Sequence, residues 1–166
     1  MIPITLDPSR LRLAVAGAGS AATRRLGLLR AAGALPLALP IAPARLPGLD
    51  LLWIADADAA AAAALAATAR ARGILVNVED RPELCDFRNA AELRRGDLLI
   101  AVSTGGASPG LAGAIRDRIA AWFGPEWAER VAELGARRRA WRAEGRSLPE
   151  LARLTAAALA EAGWLA

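Results

Sequence analysis

Apolar runs and alanine-rich stretches alternate through the first hundred residues, and a glycine or proline stands at most of the changes. Residues 11–16 are apolar enough for a buried strand, and Gly17-Ala-Gly-Ser-Ala-Ala22 turns from them into a helix that reaches about residue 32, with Gly33 as its stop. Residues 35–39 predict a second strand, which Pro36 and Pro40 push to a sheet edge because proline donates no hydrogen bond. Pro40, Pro43 and Pro47 predict a loop over 40–48. Residues 51–55 and 74–78 predict the third and fourth strands, separated by an alanine-dense helix with Asp58 as its cap and Gly73 as its end. Residues 98–102 predict a fifth strand. Strands alternating with helices predict parallel β-α-β units, an α/β domain with helices on both faces of its sheet.

Beyond Pro109 the pattern is helical: 110–122, 126–144 and 148–162, with breaks at Gly124-Pro125 and over 145–149. The chain thus reads as an α/β domain over 1–107 and a small helical region over 108–166. A region that short rarely holds a core alone. Trp122, Trp127, Trp141 and Trp164 supply either a surface for packing, on the first domain or on a second subunit, or filler for intramolecular gaps.

Composition narrows the chemistry. The 166 residues include no histidine, lysine or tyrosine. That excludes a Ser/His/Asp triad, His-ligated metal sites, Schiff-base chemistry and a P-loop lysine. A general base must then be Asp or Glu. The single cysteine, Cys85, excludes an internal disulfide and suits a cytoplasmic setting. Charges interrupt every apolar stretch, so no membrane span is expected, and the N-terminus lacks the basic region of a signal peptide. The net charge of +4 comes from arginines interspersed with acids, and aromatics for base stacking are few. This fits a polyanionic small molecule as partner, and no nucleic-acid partner is expected.

Three segments carry candidate chemistry. Gly17-Ala18-Gly19-Ser20-Ala21-Ala22 is a G-x-G-x-x-A after a strand, either a dinucleotide turn or a glycine-rich turn without a cofactor. The acid expected after the second strand for ribose hydroxyls is missing, since residues 37–42 are wholly apolar. Asn77-Val-Glu-Asp80 ends the fourth strand, where ligands of open α/β sheets bind. Asp80 is either an acid/base, its pKa raised by apolar neighbours, or the cap of the turn before Pro82. If the strand continues through them, alternation points Glu79 and Asp80 apart and only one of the two faces the cleft. Ser103-Thr-Gly-Gly-Ala-Ser108 joins the fifth strand to a helix that Ser108 caps and Pro109 opens, a candidate anion cradle or an ordinary capped turn.

The run from Gly73 through Asn77-Val-Glu-Asp80-Arg-Pro-Glu-Leu-Cys85-Asp-Phe87 resembles the "NVVDDPELCDF" block of the precorrin-2 dehydrogenase/sirohydrochlorin ferrochelatase family. That family forms the N-terminal part of siroheme synthases. Arg95-Gly-Asp-Leu-Leu-Ile-Ala-Val-Ser-Thr-Gly-Gly-Ala-Ser-Pro109 resembles its "RGDLTIAISTGGASP" block, and residues 17–25 resemble its glycine-rich turn. The resemblance implies a Rossmann-like parallel sheet feeding a helical dimerisation region, in a homodimer. It implies oxidation of precorrin-2 to sirohydrochlorin with NAD as hydride acceptor, followed by insertion of ferrous iron as a substrate. Residue by residue it implies Asp80 as the catalytic acid/base, with no protein metal ligands. It places nucleotide contacts at Gly17, Gly19, Ser20, Ala21, Ile41 and Ala42. A tetrapyrrole substrate would meet Asn77, Ser103, Thr104, Gly105, Gly106 and Ser108, with Arg24, Arg25, Arg81 and Arg88 as anchors for its carboxylates. Thr104 matches a position that carries a phosphorylatable serine in some members.

Departures lie mainly on the nucleotide side. The family's extra strand and hairpin shrink to residues 40–50, and its "ATDD…N" becomes Ala55-Asp-Ala-Asp-Ala-Ala-Ala-Ala62, without Thr or Asn. Two readings stay open: an NAD-dependent precorrin-2 dehydrogenase, and a non-catalytic tetrapyrrole-binding or scaffold homodimer that has lost NAD.

Overall fold

A computed structural model describes residues 1–42, 46 and 48–165. The loop expected over 40–48 therefore lies partly outside the described residues. The chain forms two compact units, Met1–Asn89 and Ala90–Ala166.

The first unit is a parallel sheet of β1 (Leu13–Ala16), β2 (Leu37–Leu39), β3 (Leu51–Ile54) and β4 (Leu75–Val78), in the order β2-β1-β3-β4. Helix α1 (Ser20–Ala31) follows β1, and α2 (Ala59–Arg70) joins β3 to β4. Alternation along the strands divides their side chains between two cores. Leu13 and Val15 join Leu51, Trp53 and Ala22 of α1 on one face. Ala14 and Ala16 join Leu52, Ile54 and Ala62, Leu65, Ala66 and Ala69 of α2 on the other. Alanines at helical spacing let α2 lie close to the sheet, and Asp58 caps it as expected, accepting from the Ala61 N–H at 2.9 Å. Full burial of Leu52 and Ile54 contributes about 1.5–3 kcal/mol each. β2 lies at an edge, as its prolines predict, but starts at Leu37 and leaves Leu35 exposed.

Because β2 and β3 lie on opposite sides of β1, the winding reverses between β1 and β3. Their carboxyl ends frame the crevice where such sheets bind ligands.

The other edge, β4, is sealed by the segment that follows it. The Val76 N–H donates to the Asp86 carboxylate at 2.9 Å, and the Asp86 N–H donates to the Val76 carbonyl at 2.8 Å. The Val78 N–H donates to Cys85 Sγ at 3.2 Å, whose thiol lies within reach of the carbonyls of Val78 and Arg81. Arg70, the last residue of α2, ties this segment down through Asp86 at 2.8 Å and the Leu84 carbonyl at 2.6 Å. Outward-facing groups of an edge strand invite pairing with other chains, and here side chains occupy them. The Leu-Cys-Asp run, a conspicuous part of the sequence resemblance, thus has a structural task.

The second unit holds β5 (Ala91–Arg95), β6 (Leu98–Val102), α3 (Pro109–Ala120), α4 (Trp127–Ala143) and α5 (Leu148–Ala162). Residues 98–102 are a strand, but they pair antiparallel with β5 and do not extend the parallel sheet. Gly96, at φ +55°, turns the two-residue hairpin loop. The compact units therefore meet at Asn89, ahead of the hairpin, and the chain from Pro109 to Ala162 is helical as its pattern predicts. Arg95 donates to the Phe123 carbonyl at 2.9 Å, and Trp127 is buried beside Phe123, with ring centroids 4.8 Å apart. Trp127 is therefore internal filler, whereas Trp122 is 66% exposed.

Candidate active site

The turn after β1 has the tight form its glycines suggest. Gly17 sits at φ +137°, closed to side-chain-bearing residues, and donates its N–H to the Leu39 carbonyl of β2 at 3.0 Å. A Cβ there would collide with the Ala55 carbonyl at the end of β3. Gly19 is the N-cap of α1 and brings no side chain to cap it. The cap comes from elsewhere: the Asp56 carboxylate accepts the Ala22 N–H at 2.9 Å, and a Cβ on Gly19 would run into that carboxylate. The second glycine thus makes room for an acid of the protein itself, at the place where such turns receive a phosphate.

A cavity of about 540 Å³ opens beside this turn. Its wall takes Ala21 and Arg24 from α1, residues 54–57 from the end of β3, and residues 78–81 from the end of β4. Asp56 and Asp80, on this wall, both hold φ +56° and are the two left-handed non-glycine residues among those described. Left-handed backbone in side-chain-bearing residues costs free energy and gathers at functional sites. Nothing in the apolar-polar pattern announced either.

Glu79 and Asp80 both line the cavity, where a continuing strand would have brought only one of them to the cleft. β4 ends at Val78, and the left-handed step at Asp80 breaks the alternation. Glu79 is held by Arg24 at 2.6 Å, so Arg24 is an ion-pair partner here instead of an open anchor. Asp80 is exposed within this unit, not packed among apolar side chains as anticipated. Arg81 stands beside it on the wall.

Of the residues expected at a nucleotide, Gly17, Gly19, Ser20 and Ala21 make the turn and the first residues of α1. Ile41 packs against the α2-side core and Ala42 is exposed; neither supplies a polar side chain to the end of β2.

Asn77 is only 9% exposed, and its amide is paired within the fold. Its Nδ2 donates to the Phe87 carbonyl at 2.9 Å and its Oδ1 accepts from Asn89 Nδ2 at 3.0 Å. Asn89 Oδ1 in turn accepts the Trp53 indole N–H at 3.1 Å. Buried amides with both ends paired rigidify what they join, so Asn77 positions the 87–89 segment.

The 103–108 segment belongs to the second unit and closes on itself. Thr104 Oγ1 donates to the Ser108 carbonyl at 2.9 Å and accepts the Ser108 N–H at 3.0 Å. Ser108 Oγ accepts the Leu111 N–H at 3.2 Å, the cap its position predicts. Ser103 Oγ accepts the Gly105 N–H at 3.3 Å, and Gly105 and Gly106 take φ +70° and +89°. The Thr104 hydroxyl thus ties the two ends of the loop together.

A family described as "Putative NAD(P)-binding" matches residues 36–91, and one described as "Sirohaem biosynthesis protein central" matches residues 95–121. The siroheme synthase of Methylococcus capsulatus is 38% identical over 71% of this chain and 30% of its own length. Siroheme synthase 1 of Pectobacterium atrosepticum is 31% identical over 84% of this chain and 37% of its own length. The chain thus spans about a third of these relatives. Among solved structures, SirC, a precorrin-2 dehydrogenase, superposes with a TM-score of 0.70 over 94% of this chain and 88% of its own, at 20% identity, a likeness of fold.

Proposed function

The chain belongs to the siroheme synthase family, and on that premise we propose that it oxidises precorrin-2 to sirohydrochlorin with NAD⁺, Asp80 serving as acid/base. The observation that carries the reading is Asp80 itself. A carboxylate stands at the mouth of the switch-point cavity on a backbone that costs free energy to hold, next to a Glu79 already neutralised by Arg24.

The residues present suit a dinucleotide in shape. The Gly17 turn is tight and Ala21 keeps the wall low, while the room that Gly19 leaves beside the start of α1 holds the Asp56 carboxylate, which a bound phosphate would have to displace. When bound, NAD⁺ supplies the hydride acceptor. Oxidation of the macrocycle by loss of a hydride would also release a proton, and Asp80 is the carboxylate placed to take it. Its exposure lets it return the proton to solvent. The same carboxylate would collect protons from pyrrole nitrogens as ferrous iron enters as a substrate. Arg81 anchors a carboxylate of the macrocycle, a pairing for which guanidinium is suited. Leu111, Ile115 and Trp122 leave an exposed apolar face on the second unit, which a second copy of the chain would cover in a homodimer.

The test is turnover of precorrin-2 followed by absorbance, with wild type and Asp80→Asn. Removing a general base costs about 10²–10⁴ in rate, and that loss is expected. Turnover by Asp80→Asn within a factor of three of wild type removes Asp80 from the chemistry. The second reading, a tetrapyrrole-binding scaffold without nucleotide, is favoured by the apolar end of β2 and by Asp56 at the start of α1. It predicts macrocycle binding with no turnover by the wild type.

A further inference from the structure

We propose that the Asp56 carboxylate is a built-in occupant of the phosphate seat at the start of α1, so that a dinucleotide enters only when Asp56 withdraws; this rests on the dinucleotide reading above. Asp56 lies directly after β3, far from α1 in sequence, yet it supplies the cap that Gly19 cannot. It holds the Ala22 N–H, a donor of the first turn of α1. The space it fills exists because residue 19 has no Cβ. A pyrophosphate brought to this turn would need the same N–H and the same space.

Charge sharpens the competition. The cavity wall carries three carboxylates, Asp56, Glu79 and Asp80, against two guanidiniums, Arg24 and Arg81. Arg24 is engaged by Glu79. Formally the wall is left with one excess negative charge, and a dinucleotide adds more. Like charges placed together weaken binding strongly, so withdrawal of Asp56 removes both the steric and the electrostatic obstacle. The left-handed step at Asp56 sets the carboxylate where it lies, and rotation there would carry it off the helix end. The device is autoinhibitory: the empty turn is stabilised by the protein's own anion, and affinity for nucleotide falls accordingly.

The test compares wild type with Asp56→Asn, which keeps the shape and accepts a left-handed backbone, and Asp56→Gly, which accepts φ +56° without strain. NAD⁺ and inorganic pyrophosphate are titrated separately by calorimetry at low salt, with the amide resonance of Ala22 as local reporter. Folding is checked by circular dichroism, and either folded variant suffices. Both probes are expected to bind the variants on the order of ten- to a hundredfold more tightly than wild type, and the Ala22 amide to shift on binding. Equal or weaker binding of both probes by folded variants overturns the proposal, and NAD⁺ bound equally by all three proteins leaves the dinucleotide reading standing without it. A gain for pyrophosphate while NAD⁺ binds none of them supports the Asp56 seat and removes the dinucleotide reading instead.

Discussion

Replacing Asn77 by alanine should unfold the protein more readily while leaving its affinity for a tetrapyrrole unchanged. The side chain donates to the Phe87 carbonyl and, weakly, to Cys85 Sγ at 3.5 Å, and it accepts from Asn89, in a setting where the residue is only 9% exposed. Each bond contributes about 0.5–1.5 kcal/mol net, and a partner left buried and unpaired costs about 1–3 kcal/mol more. The Phe87 carbonyl loses a partner outright, while Asn89 sits near the surface and can turn to water, keeping the Trp53 indole satisfied. The sum is a loss of about 2–4 kcal/mol. For a chain of this size each kcal/mol moves Tm by about 2–4 °C, so a fall of about 4–16 °C is expected. Urea denaturation supplies the free energy, and titration with sirohydrochlorin supplies the affinity. An Asn77→Ala/Asn89→Ala double-mutant cycle should show positive coupling, because the two amides touch. A stability change under 0.5 kcal/mol, or a tenfold loss of tetrapyrrole affinity at unchanged stability, would refute the structural role.

Further outcomes follow from the same structure. Asp80→Gly relieves a left-handed backbone at φ +56°, and should abolish turnover while stability holds or rises by up to about 1 kcal/mol, as measured by calorimetry. At the β4 edge, Asp86→Ala removes the acceptor of the Val76 N–H and the partner of Arg70; it should cost about 1–3 kcal/mol in urea denaturation and increase aggregation. Acid should weaken the first unit through Asp50. The Arg12 guanidinium, and then the Arg12 N–H, hold this carboxylate below the ordinary aspartate value of 3.8. A carboxyl depressed in the folded state stabilises fully above its unfolded pKa and loses that contribution as pH falls through the lower folded value. Urea midpoints measured from pH 6 down to pH 2 should therefore fall below about pH 4, and less so in Asp50→Asn.

Much of the first unit was legible because its signals are local. Gly17, Gly33 and Gly73 punctuate strands and helices, Asp58 caps α2, and Pro36 marks an edge strand. The β5–β6 hairpin was not, because Ala91–Arg95 is charged and only half apolar, and the loop that pairs it is just Gly96-Asp97. A glycine-containing two-residue turn just ahead of the apolar run 98–102 was the signal available. At the site, the sequence indicated Asp80 and the Gly17 turn. It did not show the pairing of Asn77 within the fold, because no periodicity reveals that Phe87 and Asn89 fold back to meet its amide. Asp56 escaped for the same reason. Its meeting with Gly19 and Ala22 arises from strand order, and sequence spacing carries no trace of it.

Hydride transfer from precorrin-2 to NAD⁺ is the centre of the account, and one anaerobic measurement addresses it: sirohydrochlorin and NADH quantified together as purified wild-type chain turns over precorrin-2. One NADH formed per sirohydrochlorin is the predicted result. Sirohydrochlorin formed without NADH, or neither product from a folded protein that binds the macrocycle, would contradict it.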